Sequence, residues 1–408
     1  MNPISFSRVP FPRGGALLRV ALLAAVVALS GCTTVKGWFG GDHKDNPKKA
    51  AKLARKPFDL VDFTASATVT RLWTAKAGGG EGRLGLNQGP VVYDGRVFAA
   101  AVKGGVSAFD VQTGKETWHF KSDDKISGGP GAGDGLVVVG TLEGAIIAID
   151  AATGTEKWRA KVLSEVISAP LVGQGTVLVH SNDGRVTAFD AADGKRRWFW
   201  NHDLPILSVR GNDSPTFGPG LVFVGNDDGK VVTLSLADGT QQWEQSAGSP
   251  DGRSDLERMA DVDGAPVLDN TTLYASSYKK TSIAIDAPSG RPLWTSEHGG
   301  SGRIGVGTDR IVVADPTGVV WALDKSGGSA MWQQAGLTRR NLSGTAVQGD
   351  FAVVGDYDGY LHWLRLDNGD FAARVRVAHD AIHAAPVVFD GILVVQTTGG
   401  DLAAYRVQ

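Results

Sequence analysis

A short phrase ending in tryptophan recurs down this chain at a spacing that only a modular fold accommodates. AFDVQTGKETW ends at Trp118, AIDAATGTEKW at Trp158 and AFDAADGKRRW at Trp198. Looser copies end at Trp243 (LSLADGTQQW), Trp294 (AIDAPSGRPLW) and Trp332 (ALDKSGGSAMW), while in LRLDNGDFA the tryptophan position falls to Ala373. Successive tryptophans are 40 (118 to 158), 40 (158 to 198), 45 (198 to 243), 51 (243 to 294) and 38 (294 to 332) residues apart, which is the span of one propeller blade. Helical repeats of similar length fail on local pattern. Each unit carries short β-branched runs such as LVVVG, VLVHS, LVFVG, RIVVAD, FAVVGD and ILVVQT, bounded by turn signals. Asp94-Gly95, Asp134-Gly135 and Asp390-Gly391 precede second strands, and Glu143-Gly144, Asp183-Gly184, Asp228-Gly229 and Asp358-Gly359 precede third strands. Asp-Gly supplies the positive φ angles of a tight hairpin.

One unit reads as PLV, a turn, TVLVHS, a turn, RVTAFD, the ADG turn and KRRW, four antiparallel strands in all. First strands are expected near Pro90, Pro130, Pro170, Pro215, Pro266, Gly305, Thr345 and Pro386, so the count is eight. The last unit stops at AAYRVQ without a fourth strand, and an isolated RLW ending at Trp73 stands ahead of the first unit. The expectation is an all-β, eight-bladed propeller of four-stranded antiparallel blades, in which the N-terminal strand completes the last blade and closes the ring. The repeat tryptophans (Trp73, Trp118, Trp158, Trp198, Trp243, Trp294, Trp332) are assigned to packing between blades, each burying on the order of 150–250 Å². Trp200, Trp321 and Trp363 fall outside that register.

At 408 residues with 42% apolar content, length alone suggests two or three domains, but the repeat makes residues 58–408 one ring. The net charge of −2 argues against a nucleic-acid partner. One cysteine excludes an internal disulfide framework. It follows a basic start (Arg8, Arg13, Arg19), the apolar stretch VALLAAVVAL and then Leu29-Ser30-Gly31. That order reads as a signal peptide over residues 1–31, because the apolar run is too short to span a bilayer. Residues 32–57 read as a tether rich in Gly, Pro and Lys, with an r.m.s. span of roughly 25–30 Å. Trp38 within it is read either as an interfacial residue or as one without a role.

Catalytic constellations are absent from the sequence. The Gly-rich stretches at 78–85 and 299–307 lack the Lys-Ser/Thr and following helix of a phosphate loop and read as blade connections. His379 and His383 in HDAIH precede a strand, where residues i and i+4 do not converge as they do on a helix. No Gly-x-Ser-x-Gly elbow or HExxH occurs. The expectation is a protein that is not an enzyme and holds no metal or cofactor.

LSGC resembles the bacterial lipobox, which implies lipidation of Cys32 as the mature N-terminus, and Thr33 in place of an aspartate implies the outer membrane, facing the periplasm. AxDxxTGxxxW resembles the repeat of quinoprotein dehydrogenases, which bind pyrroloquinoline quinone, but the paired cysteines and calcium ligands of those enzymes are missing. Lipobox, basic tether and eight quinoprotein-like blades together resemble the BamB family, the propeller lipoproteins of the outer-membrane β-barrel assembly (BAM) machinery, over essentially the whole chain. DLPILSVRGNDSP (203–215) and GRSDLERMADVDGAP (252–266) are similar to the two family loops that contact BamA through its periplasmic POTRA domains. The resemblance implies contacts by Leu207, Val209 and Arg210, and by Asp261 and Asp263, with Val209 standing where leucine is usual. The two aspartates are read either as contacts or as partners of Arg210 that brace the loops, and Arg258 is a second local partner for them. Implied partners are BamA, through it the other BAM subunits, and unfolded outer-membrane protein clients. The alternatives kept are a quinoprotein dehydrogenase and a periplasmic glycan- or ligand-binding propeller.

Overall fold

Each repeat closes into its own four-stranded antiparallel sheet, and eight such sheets follow one another along the chain. In the computed structural model the described residues run from Lys56 to Gln408, apart from Arg83, 208–212, Pro250, Asp255, Leu256 and Arg258. Blades 1–7 span 91–120, 126–161, 171–201, 216–246, 267–296, 305–334 and 346–376, each a simple meander from inner to outer strand. First strands begin within one residue of the expected positions, except in blade 2, where Ile126–Gly133 starts earlier and carries two bulges.

The turns divide into two kinds. Asp94 (φ 50°) and Gly95 (φ 70°) are both left-handed, as are Asp134 and Gly135, and Asp390 and Gly391, which is the geometry of a two-residue hairpin. Before the third strands of blades 2, 3, 4, 6, 7 and 8 only the glycine is left-handed, and its amide closes a wider turn onto the residue three back, as Gly184 N does onto Ser181 O at 3.0 Å. Asp-Gly in that second group therefore does not make the mirror-image turn expected from the sequence.

Second and third strands are apolar on both sides, as with Val137, Val138 and Val139, all fully buried, because each blade is sandwiched between two neighbours. One apolar cluster fills each interface between blades, for example Val138, Ile146 and Trp158 of blade 2 against Val177, Val179 and Phe189 of blade 3.

The repeat tryptophans are the joints. A bulge just before each one sets its orientation. The indole then lies over the third-to-fourth turn of the next blade and donates Nε1–H to a carbonyl there, Trp118 to Ala151 at 3.0 Å and Trp158 to Ala191 at 2.9 Å. The turn glycine is required twice over. Gly154 has φ +76°, and a Cβ on it would lie 2.7 Å from the Trp118 ring.

Ring closure follows the expected scheme. Val69–Lys76 pairs antiparallel with Asp401–Val407 and is the outer strand of blade 8. Trp73 faces Ala404 across that pair, bonds to Val111 O of blade 1 at 2.9 Å and covers Gly114. The vacancy at Ala373 has a topological cause. Blade 8 takes its third and fourth strands from opposite chain ends, so it has no third-to-fourth turn for a blade 7 tryptophan to cover. Ala67, Val69 and Val407 pack there instead, and the Ser66 and Ala67 amides donate to Ala372 O.

The segment ahead of the closing strand is buckled onto blade 7, which the sequence reading did not anticipate. Phe63 stacks on Phe371 with centroids 5.3 Å apart, Arg374 lies over both rings, and its Nη1 donates to Val61 O at 3.0 Å. Arg340 donates from Nη1 to Phe58 O at 3.1 Å and from Nε to the buried Asp356 carboxylate at 2.7 Å. His362 Nε2 shares that carboxylate at 3.0 Å while its Nδ1 accepts from Arg374 Nε at 3.2 Å. His362 is therefore neutral with its proton on Nε2, in keeping with the burial that lowers its proton affinity.

Of the tryptophans outside the register, Trp363 is fully buried and donates to Gln348 Oε1 at 2.8 Å. Trp200 stacks on His202 and Trp321 on His298.

Two alanine substitutions separate the joint from backbone strain. Gly154→Ala and Gly135→Ala both place alanine at a left-handed φ (+76° and +75°), but a Cβ on Gly135 meets nothing within 4 Å. Each loses about 1–2 kcal/mol to the backbone, and Gly154→Ala loses about 1–3 kcal/mol more to the indole it displaces. Thermal unfolding midpoints report the difference, and equal losses would remove the assigned role of the joint.

Candidate functional site

Connections between blades and second-to-third turns share one face of the ring, because every blade runs in the same sense from inner to outer strand. Most of these connections are short. The two long ones, residues 202–215 after blade 3 and 247–266 after blade 4, account for the tryptophan intervals of 45 (198 to 243) and 51 (243 to 294). They are adjacent on the ring.

The first connection presents apolar side chains to solvent. Leu204 is 44% exposed, Ile206 90% and Leu207 43%. Leu204 rests over the turn at Gly184, where a Cβ would meet Leu204 Cδ2 at 3.0 Å. The nearby connection after blade 2 adds Leu163, 87% exposed. Val209 and Arg210 lie outside the described residues, as do Arg258 of the second connection, Trp38 and Cys32.

The second connection is held from below. Lys279 Nζ donates to Asp251 O at 2.5 Å and to Glu257 O, and Glu257 Oε2 accepts from Arg253 N at 2.7 Å. The chain then returns between the turns of blades 4 and 5, with Val262 N bonded to Asn226 O at 3.1 Å and Tyr278 N to Asp261 O at 2.8 Å.

This return buries the two aspartates singled out from the sequence. Asp261 is wholly buried, and Asp263 is half-buried at the mouth of the central channel. Carboxylate oxygens of Asp227, Asp261 and Asp263 lie within 4.8 Å of one another. Burial first, then the charges of Asp261, Asp227 and Asp213, push the Asp263 carboxyl well above its ordinary range.

Asp213 and Asp227 were not singled out in the sequence. Asp213 Oδ2 accepts from Ala265 N at 2.8 Å and Oδ1 from Ser214 N at 2.7 Å, so one carboxylate pins the end of the first connection to the end of the second. Burial raises its proton affinity, against the opposing pull of those two amides and of Arg303. An aspartate two residues before a proline at a strand entrance marks a local turn. Nothing in the sequence marks its reach across to residue 265.

The channel itself is a cavity of about 480 Å³ whose walls are the inner strands, with Asp213, Asp263, Arg303 and His383 among its lining. His383 Nδ1 lies 3.4 Å from the buried Glu81 carboxylate, and His379 is exposed. The described residues of the Gly-rich stretch at 78–85 lie in a blade connection, as expected, and Gly79 bridges to Lys103 of blade 1, whereas the stretch at 299–307 is connection only to 304 and then enters the first strand of blade 6.

A family profile described as outer membrane protein assembly factor BamB matches residues 63–125, 102–334 and 316–408. The chain is 57% identical over 399 residues to the outer membrane protein assembly factor BamB of Xanthomonas campestris pv. campestris, covering 95% of this chain and 97% of that one. It is 40% identical over 388 residues to the protein of the same name from Pseudomonas aeruginosa, covering 95% and 98%. Among solved structures, the crystal structure of BamB from Moraxella catarrhalis superposes with a TM-score of 0.76 at 25% identity, covering 83% of this chain and 100% of that one. With that similarity running through all eight blades and both long connections, the chain belongs to the BamB family of outer membrane protein assembly factors.

Proposed function

We propose that this protein is a non-enzymatic scaffold subunit of the BAM complex that docks on the POTRA domains of BamA and assists insertion of β-barrel proteins into the outer membrane. The observation that carries this reading is the exposed apolar segment Leu204, Ile206 and Leu207, in a connection whose end is pinned to the next one by the Asp213 carboxylate. Solvent-facing apolar side chains on an otherwise well-braced loop mark a protein contact. A family of assembly factors gives no support to the dehydrogenase or glycan-binding alternatives.

Within the docking face the assigned residues take different parts. Leu207, Val209 and Arg210 are the contacting side chains. Asp261, having no exposed atoms, and Asp263, turned toward the channel, are positioning residues that set the height of the second connection. Cys32 carries the lipid, palmitate among its acyl chains, and residues 33–57 tether the ring to the periplasmic face of the outer membrane. More than one acyl chain is needed for stable anchoring. Through BamA the ring joins the other BAM subunits and the unfolded clients they handle.

Capture of BamA by Leu207→Asp and Arg210→Glu proteins with unchanged melting behaviour tests the docking face. Each is expected to weaken binding by about tenfold or more, and undiminished capture removes the assignment. Cys32→Ser is expected to leave the ring folded and move it to the soluble fraction on membrane fractionation.

The buried carboxylate makes a separate prediction. Because the folded state raises the Asp263 carboxyl, its proton favours folding, and stability falls as pH rises through the folded-state value. Asp263→Asn cannot ionise. It is expected to melt at or above the wild-type temperature near pH 8, with the advantage closing toward about pH 4. A variant less stable than wild type at pH 8 would contradict this.

A further inference from the structure

The apolar segment at 203–207 begins at a histidine that nothing in the fold requires. In blades 2, 4 and 7 the place of His202 is taken by Val162, Ala247 and Val377, each donating its amide to the glycine of its own second-to-third turn, as His202 does to Gly184 at 3.2 Å. An apolar residue therefore satisfies the backbone there. His298, at the same place in blade 5, stacks on Trp321.

His202 instead reaches across to the next blade. Its Nε2 lies 3.0 Å from Asp228 Oδ2, in the second-to-third turn of blade 4, with side chains 16% and 22% exposed. Its ring stacks on Trp200, centroids 5.3 Å apart, which fixes its plane. At this distance the carboxylate acts on the imidazole both as a hydrogen-bond acceptor and as an opposite charge, and the ionic part of the tie depends on the imidazole being protonated. Asp228 has a second cation, Lys230, at 3.6 Å, and Lys230 in turn holds Glu244 at 3.0 Å. Loss of the imidazolium thus leaves Asp228 paired within its own blade and blade 3 without an ionic tie at this point.

We propose that the His202–Asp228 pair is a proton-operated latch that holds the start of the 203–207 segment against blade 4, so that partner docking is tighter on the acid side of neutrality. The proposal rests on the reading that this connection docks on BamA. The neighbouring residue, Asp227, belongs to the carboxylate group under the second connection, so the latch ties the first connection to the turn that supports the second.

The carboxylates facing the latch outweigh the one cation that opposes it, Lys230. Contact with Asp228 raises the proton affinity of His202 above its ordinary value, against burial and the charge of Lys230, and Glu244 adds to the rise. Burial acts to raise Asp228, but His202 and Lys230 outweigh it and keep it a carboxylate. His180, in the second strand of blade 3, is held down to about 4 by burial, so it stays neutral through this range. Asp183 in the adjoining turn is occupied by Ser181 at 2.6 Å and Arg185 at 3.7 Å. The sign follows: a raised imidazole contributes its tie fully below its unfolded value and loses it as pH rises through the folded value.

Two measurements on the full-length protein test the latch. NMR titration of the histidine ring in the free protein is expected to place His202 above the ordinary value of about 6.5, and Asp228→Asn is expected to bring it down. Affinity for the purified POTRA region of BamA, measured from about pH 5.5 to about pH 8, is expected to fall by about two- to fivefold in wild type and to stay level in His202→Gln. A His202 that titrates at or below the ordinary value overturns the latch, as do parallel affinity curves for wild type and His202→Gln. The docking reading fails separately, if Leu207→Asp binds as wild type does at every pH.

Discussion

Seven of the eight joints between blades are made by an indole lying on a glycine, all but the one between blades 7 and 8. The tryptophan closes over a turn that has no room for a side chain and bonds to a carbonyl just before that turn, from Trp73 on Gly114 to Trp332 on Gly369. A single meander of four short strands has too little apolar area to stand alone. The indole joint makes neighbouring sheets share one core cluster, and closure by Val69–Lys76 makes the sharing circular. The rest of the molecule depends on that repeated contact, because a ring with fixed joints has fixed connection points around its rim.

Variation is then confined to what the joints do not constrain. Blade-to-blade connections lie outside the stacked sheets, so two of them can lengthen without disturbing the register. Described residues of the added chain after blades 3 and 4 are pinned to their surroundings. Asp213 crosses from one connection to the other, Lys279 grips the second, and Asp261 is sunk between turns. The Asp213 carboxylate and the Lys279 ammonium both bond to backbone, which fixes geometry more than it adds stability. The exposed apolar side chains Leu163, Leu204, Ile206 and Leu207 lie in the connections after blades 2 and 3.

The N-terminal segment solves a different problem. It must cross blade 7 before it can complete blade 8, and the missing turn of blade 8 leaves an apolar gap beside Ala373. Ala67, Val69 and Val407 fill that gap, while aromatic stacking, a guanidinium over the rings and the buried Arg340–Asp356 pair fasten the segment ahead of it. Any pull arriving through residues 58–67 is thus shared with blade 7 and does not fall on the closing strand alone. Blade 7 lies away from the long connections, so fastening and proposed docking occupy separate sectors of the ring.

The sequence by itself determined the modular plan: eight units, four strands in each, the tryptophan register, the closing N-terminal strand and the identity of the two long connections. These are local or periodic properties, carried by alternating β-branched runs, turn glycines and one repeated aromatic. It also located Leu207, Asp261 and Asp263 in those connections. Only tertiary structure decided which of them faces outward. Asp261 reads as a polar loop residue but is fully buried, Asp213 matters through an amide fifty-two positions away, and His202 acquires its partner from the next blade. The gap at Ala373 looked like decay of a repeat and is instead the place where the first and last strands of the ring meet. Burial and charge pairing of this kind arise from contacts between units, and a pattern repeated within each unit holds no record of them.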